Sequence, residues 1–131
     1  KIEAGRIVEE NAGEYTSLLK DILDTDNRSR YFGEVALVAE SSPLAQINIL
    51  FKSLLLDENA GCHLAFGTAY PDTVQNGEQM NDEELLEAGV NVSSVHIDFI
   101  IGSGELNVTG VTAENKRISI MRNGNWADEF E

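Results

Sequence analysis

The stretch VHIDFII at 95–101 constrains the fold of this chain more tightly than any other part of it. Val95, Ile97, Phe99 and Ile101 recur with period two, the signature of a strand with one apolar face. His96 and Asp98 share the other face, two residues apart and pointing the same way. Leaving an unpaired charge in an apolar strand is costly, so such groups pair, neutralise or bind a cation.

The same interruption of an apolar pattern recurs elsewhere. YFGEVALVAE at 31–40 reads as a strand with Tyr31, Val35, Leu37 and Ala39 on one face and Glu34 beside Val38 on the other. CHLAFGTAY at 62–70 reads as a strand that His63 opens, ended by Gly67 and Pro71. Five residues before His63, Glu58 stands where a helix gives way to a turn in LLLDENAGCH.

Between these strands the periodicity becomes helical. GEYTSLLKDILDTD predicts a helix through Tyr15, Leu18, Leu19 and Ile22, broken by the polar DTDNRSR. SSPLAQINILFKSLLLDEN predicts a turn and then a helix, with Ile47, Leu50, Phe51, Leu54 and Leu55 along it; Ser42 before Pro43 favours an extended entry. NDEELLEAGV begins as a capped helix, with Asn81 or Asp82 as the cap and acids in the first turn. KIEAGRIVEE predicts a short strand. VHIDFIIG and ELNVTGVTA predict a hairpin around GSGE, and KRISIMRNGNWADEF a last strand. The sum is a mixed α/β (α+β) fold: a largely antiparallel sheet with a few helices in a single compact domain.

Composition bounds the function. The 131 residues amount to one domain, and the net charge of −14 repels nucleic acid and anionic membranes while attracting cations. No run of about 18 apolar residues is present to span a membrane. The opening KIEAGR has neither an initiator Met nor an apolar signal region, which suggests a cut piece of a longer chain. A single cysteine, Cys62, excludes an internal disulfide, fits a reducing cytoplasm and reads as a small buried hydrophobe.

Glu34, Glu58, His63, His96 and Asp98 are therefore the groups that break apolar patterns. Three carboxylates and two imidazoles form the mixed oxygen–nitrogen set that suits zinc, cobalt or manganese. Separate ion pairs are the alternative, and the scarcity of Lys and Arg in these segments weighs against it. Other motifs carry less. IIGSGEL has no phosphate-loop lysine, and Ser41 and Ser42 have no uncommitted histidine to activate them. The glycosylation patterns at Asn91 and Asn107 have no meaning without secretory features. Trp126 reads as a packed terminal anchor, and the leucines of SLLLDE as core.

Four blocks, YFGEVALV, SPLAQINILFKSLLLDENAGCHLAFGTAYP, NVSSVHIDFIIGSGEL and RNGNWA, resemble in order the C-terminal catalytic region of the M29 metallopeptidases, the aminopeptidase T, aminopeptidase S and PepS family. The resemblance runs from about Tyr31 to Ala127. It implies a cytoplasmic, homodimeric enzyme that uses two divalent metals (Zn, Co, Mn or Mg) to remove amino-terminal residues from peptides with a free N-terminus. It places the metal ligands on Glu34, Glu58, His63, His96 and Asp98, and a tyrosine near the metals on Tyr70. Glu34 and Tyr70 are the expected catalytic groups, Glu34 to bridge or shuttle a proton and Tyr70 to donate to the developing oxyanion.

The family also has a further metal-binding glutamate upstream and an N-terminal domain, which residues 1–131 lack. The expectation is thus the C-terminal metal-binding portion of an aminopeptidase, holding fewer metals alone. The alternative is a non-catalytic metal-binding or dimerisation domain, inactive alone because that upstream metal ligand is missing.

Overall fold

The computed structural model describes residues 1–102 and 104–128. Ser103, in the expected GSGE turn, and residues 129–131, of which the first two end the expected last strand, lie outside the described residues.

The chain opens with strands β1 (Ile2–Glu3) and β2 (Arg6–Ile7), paired antiparallel with Ile2 opposite Ile7. One strand was expected; the chain instead reverses at Ala4 and Gly5, whose φ angles of 48° and 75° suit a two-residue hairpin turn. Helix α1 (Thr16–Leu23) follows and buries Leu23, while Tyr15 and Leu18 remain exposed. Strands β3 (Phe32–Ala36), β4 (His63–Gly67) and β5 (His96–Ile100) form a three-stranded sheet with β4 in the centre.

Two five-residue helices, α2 (Pro43–Ile47) and α3 (Leu54–Glu58), stand where one longer helix was expected. Ser42 caps α2 by accepting the Ala45 N–H, with Pro43 at the first helical position. Asn48 then turns left-handed at φ 50° and ends the helix. Lys52 is left-handed as well, and the Asp57 carboxylate accepts the N–H groups of Phe51 and Ser53, so the link is fixed in a non-helical path. The apolar residues of the expected helix face do not form core: Leu50, Leu54 and Leu55 are all exposed.

Helix α4 (Asp82–Glu87) matches its expected start. The Asn81 side chain accepts the N–H groups of Glu83 and Glu84, and the Glu84 carboxylate accepts the Asn81 N–H in return, a complete capping box. Strands β6 (Val108–Val111), β7 (Arg117–Arg122) and β8 (Asn125–Trp126) form an antiparallel sheet. β5 and β6 belong to different sheets, so the expected hairpin between them is not made. The tight reversal lies instead at Asn123-Gly124, where both φ angles are positive and the expected last strand splits into β7 and β8.

The mixed α/β class with antiparallel pairing is what the chain adopts, its strands divided among three small sheets. The residues group into two compact units. The first comprises Lys1–Glu34 and Leu64–Asp98; the second comprises Val35–His63 and the chain from Phe99 onward. In the first, Leu23, Ala65, Phe66, Leu85 and Val90 are buried. The Arg30 guanidinium there joins Glu10 and Asp24 at 2.9 and 2.7 Å. In the second, Ala39, Cys62 and Met121 form the core, with Leu37, Leu106, Val108, Ile120 and Trp126 packed against it. Cys62 is buried as expected; its thiol donates to the Val38 carbonyl and accepts the Val38 N–H, both at 3.2 Å.

Candidate metal centre

Strand alternation delivers the chemistry to one place in the first unit. β3 contributes Glu34, and β5 contributes His96 and Asp98 on one face. These are the outer strands of the sheet, about 9.5 Å apart at two strand spacings. A glutamate and an imidazole are long enough to close that span. His96 Nε2 lies 3.3 Å from Glu34 Oε2 and 3.3 Å from Asp98 Oδ1, and one ligand atom from each residue lies within 4.8 Å of the others.

Val35 is 71% exposed, and Ile97, Phe99 and Ile101 are also exposed, whereas the His96 and Asp98 side chains are each only 19% exposed. Periodicity separates two faces without saying which is covered. Here the polar face is the covered one.

The protonation geometry of His96 follows from its neighbours. Its Nδ1 lies 2.8 Å from the Thr68 carbonyl oxygen, which can only accept, so Nδ1 carries the proton and Nε2 presents its lone pair. The Tyr70 ring packs at 5.2 Å between centroids, tilted by 59° to the imidazole. His96 Nε2 and Asp98 Oδ1 are both buried and neither makes a hydrogen bond. Two desolvated atoms with lone pairs facing one another are expensive unless a cation joins them. The donor set, one imidazole and two carboxylates, is chemically that of a divalent transition-metal site.

Glu58 and His63 belong to the second unit. Glu58 is the last residue of α3 and its Oε1 accepts from the Asn59 amide at 3.4 Å. His63, 2% exposed, opens β4 and points Nδ1 at the Gly61 carbonyl at 3.0 Å. That places its proton on Nδ1 and its lone pair on Nε2, the arrangement His96 also has. The group of three that the described residues bring together is Glu34, His96 and Asp98. The Thr68 carbonyl that orients His96 was not foreseen, because a backbone acceptor leaves no mark in residue type.

Asp26 secures the entry to β5. Its carboxylate accepts the Ser94 N–H at 2.7 Å, the Arg28 N–H at 2.8 Å and the Ser93 hydroxyl at 2.9 Å. Burial opposes its ionisation, but these bonds, with the Ser29 hydroxyl, outweigh that and hold its pKa well below the usual carboxylate range. A depressed folded-state pKa stabilises the fold above the unfolded value of about 3.9, and that stability disappears as pH falls further. Urea unfolding at pH 6 and pH 3 is therefore expected to show a steeper acid loss for the native chain than for Asp26→Asn. Equal slopes would show that the ionised Asp26 contributes nothing.

The sequence profile of the family described as thermophilic metalloprotease (M29) matches residues 1–126. The chain belongs to the M29 family. Among M29 relatives, aminopeptidase AmpS of Bacillus subtilis is 51% identical over 125 residues, covering 95% of this chain and 30% of that protein. Aminopeptidase T of Thermus aquaticus is 40% identical over 126 residues, 96% of this chain and again 30% of the relative. The solved structure of wild-type AmpT from Thermus thermophilus superposes with a TM-score of 0.84 at 40% identity, covering 96% of this chain and 30% of that one. The chain thus spans about 30% of the length of these M29 relatives. Membership of a metalloprotease family implies use of a divalent metal, and Glu34, His96 and Asp98 are a group that could hold one.

Proposed function

We propose that this chain is the metal-binding catalytic portion of an aminopeptidase that hydrolyses the first peptide bond of substrates with a free N-terminus. The observation that carries the reading is the buried, hydrogen-bond-free pair His96 Nε2 and Asp98 Oδ1 facing Glu34, in a chain of a metalloprotease family. Glu34, His96 and Asp98 would hold one divalent ion (Zn, Co, Mn or Mg), and the resemblance implies Glu58 and His63 of the second unit, with the upstream glutamate that residues 1–131 lack, as the further ligands of a two-metal enzyme. When bound, the divalent ions supply Lewis acidity that activates water and polarises the scissile carbonyl.

The protein groups have separate tasks in this reading. His96, its proton fixed on Nδ1, offers a single lone pair in a single direction. Glu34, partly accessible, takes the proton from the attacking water and returns it to the leaving amine. Tyr70, half exposed beside His96, donates its hydroxyl proton in a hydrogen bond to the developing oxyanion. The acidic surround attracts the cationic substrate terminus. A cytoplasmic location and a homodimer complete the proposal; the single cysteine, free and buried, agrees with a reducing compartment. No helix among the described residues is long and apolar enough to cross a membrane.

A second reading, a metal-binding assembly domain without turnover of its own, is favoured by the exposed Ile49, Leu50, Leu54 and Leu55. One experiment separates the two. Chelator-stripped protein is titrated with Co²⁺ and given a peptide with a free amine and its N-acetylated counterpart. Metal-dependent release of the first residue from the free peptide alone supports the enzyme. Saturable metal binding without hydrolysis supports the assembly domain, and the absence of metal binding defeats both.

A further inference from the structure

The Gly67–Thr68–Ala69 segment at the end of β4 is held from several sides in the first unit, and Asn91 supplies most of the grip. Asn91 is 4% exposed, and its side-chain amide donates to the Gly67 carbonyl at 2.5 Å and to the Arg28 carbonyl at 3.0 Å. Its backbone carbonyl accepts the Ala69 N–H at 2.8 Å and the Thr68 hydroxyl at 3.4 Å. Asn91 therefore brackets Thr68 from both sides. Between those anchors lies the Thr68 carbonyl, which accepts the His96 Nδ1 proton.

The surroundings leave this segment no other path. The Thr68 N–H donates to the Val95 carbonyl at 2.7 Å, immediately before His96. Gly33, next to Glu34, has no room for a Cβ, which would strike the Gly67 and Thr68 carbonyls. The segment that orients His96 thus also packs against the residue preceding Glu34.

The chemistry of Asn91 matches this use. Its two donor positions are both spent on carbonyl oxygens, while its own Oδ1 is buried without a hydrogen bond. A side chain serving only as core filler would not bury an unsatisfied oxygen. What the position requires is an NH₂ group with two protons, which an isosteric carboxylate cannot provide.

We infer that Asn91 is a positioning residue for the metal-facing imidazole: through the Gly67–Thr68–Ala69 segment, whose Thr68 carbonyl lies between its two anchors, it fixes the tautomer and direction of His96. The inference deepens the metal-centre reading and rests on it for its functional consequence. Its structural part stands without any metal, because the tautomer is a property of the metal-free protein.

The test uses ¹⁵N-labelled, metal-free protein and the long-range ring correlations of its histidines. The chain has two histidines, so His63 is an internal reference in every spectrum. In the native protein the neutral form of His96 is expected as the Nδ1–H tautomer. In Asn91→Asp and Asn91→Ser it is expected to become a mixture of tautomers with the His63 signals unchanged. Co²⁺ affinity by calorimetry is expected to fall 10-fold or more, the usual cost of disturbing the group behind an imidazole ligand. Leu23→Ala, a buried change in helix α1, should alter neither readout.

A folded Asn91 variant with native His96 tautomer and native Co²⁺ affinity would overturn the inference. So would failure of both Asn91 variants to fold, which would make the residue part of the scaffold only. If the tautomer shifts in the variants but even the native protein binds no Co²⁺, positioning stands and the metal-centre reading falls.

Discussion

Replacing His96 by Ala is expected to abolish the thermal stabilisation that a divalent metal gives this protein. The imidazole supplies the one nitrogen of the trio, and its Nε2 sits 3.3 Å from an oxygen of each carboxylate, so it is the centre of the group. Disturbing a ligand's supporting groups already costs 10–100-fold in affinity, and deleting the ligand should exceed about 100-fold. With free Co²⁺ at 100 times its Kd, a ligand binding only the native state stabilises by about 2.7 kcal/mol. For a chain of this size that is roughly 10 °C in Tm. The native protein should show that rise and His96→Ala should show none, while Glu34→Gln and Asp98→Asn retain part of it. An undiminished rise in His96→Ala would remove the trio as the metal site.

Gly67→Ala is expected to cost about 2–6 kcal/mol, a large share of the stability of a domain. Two costs combine. Gly67 has φ +102°, a conformation that strains an L side chain by about 1–3 kcal/mol. The added methyl would also overlap the Val95 carbonyl, and forcing extra volume into a packed site costs about 1–3 kcal/mol more. Gly13 separates these costs. It too has positive φ, at +58°, but nothing lies within 4 Å of its built Cβ. Gly13→Ala should therefore cost only the conformational part, roughly 1–2 kcal/mol. Urea unfolding of both variants measures the difference, and equal losses would show that the Val95 carbonyl is not the constraint. The Gly67→Ala change should also loosen His96, since the Val95 carbonyl that the methyl would strike directly precedes it in the chain.

Several elements were readable from local chemistry alone. The α4 cap was legible because Asn81 and Glu84 satisfy each other's backbone within three residues. β4 was legible because an apolar run ended at a glycine. The division of 43–58 into two helices was not, because its apolar spacing fits one helix and only Asn48, Lys52 and the Asp57 carboxylate break it. Nor were the hairpins at Ala4-Gly5 and Asn123-Gly124, where positive φ at both turn residues divides an apparently continuous strand.

For the site, the sequence by itself determined which side chains break apolar patterns, and so supplied Glu34, His96 and Asp98 as candidates. It determined that His96 and Asp98 share a face, because strand alternation is a property of the backbone. Only the tertiary structure decided that Glu34 meets them, since the two outer strands come 60 residues apart in the chain and are brought together by β4 between them. It also decided that their face is the covered one, and that a backbone carbonyl fixes the imidazole. Burial and carbonyl direction are set by which segments pack together, and no local pattern of residue types encodes that.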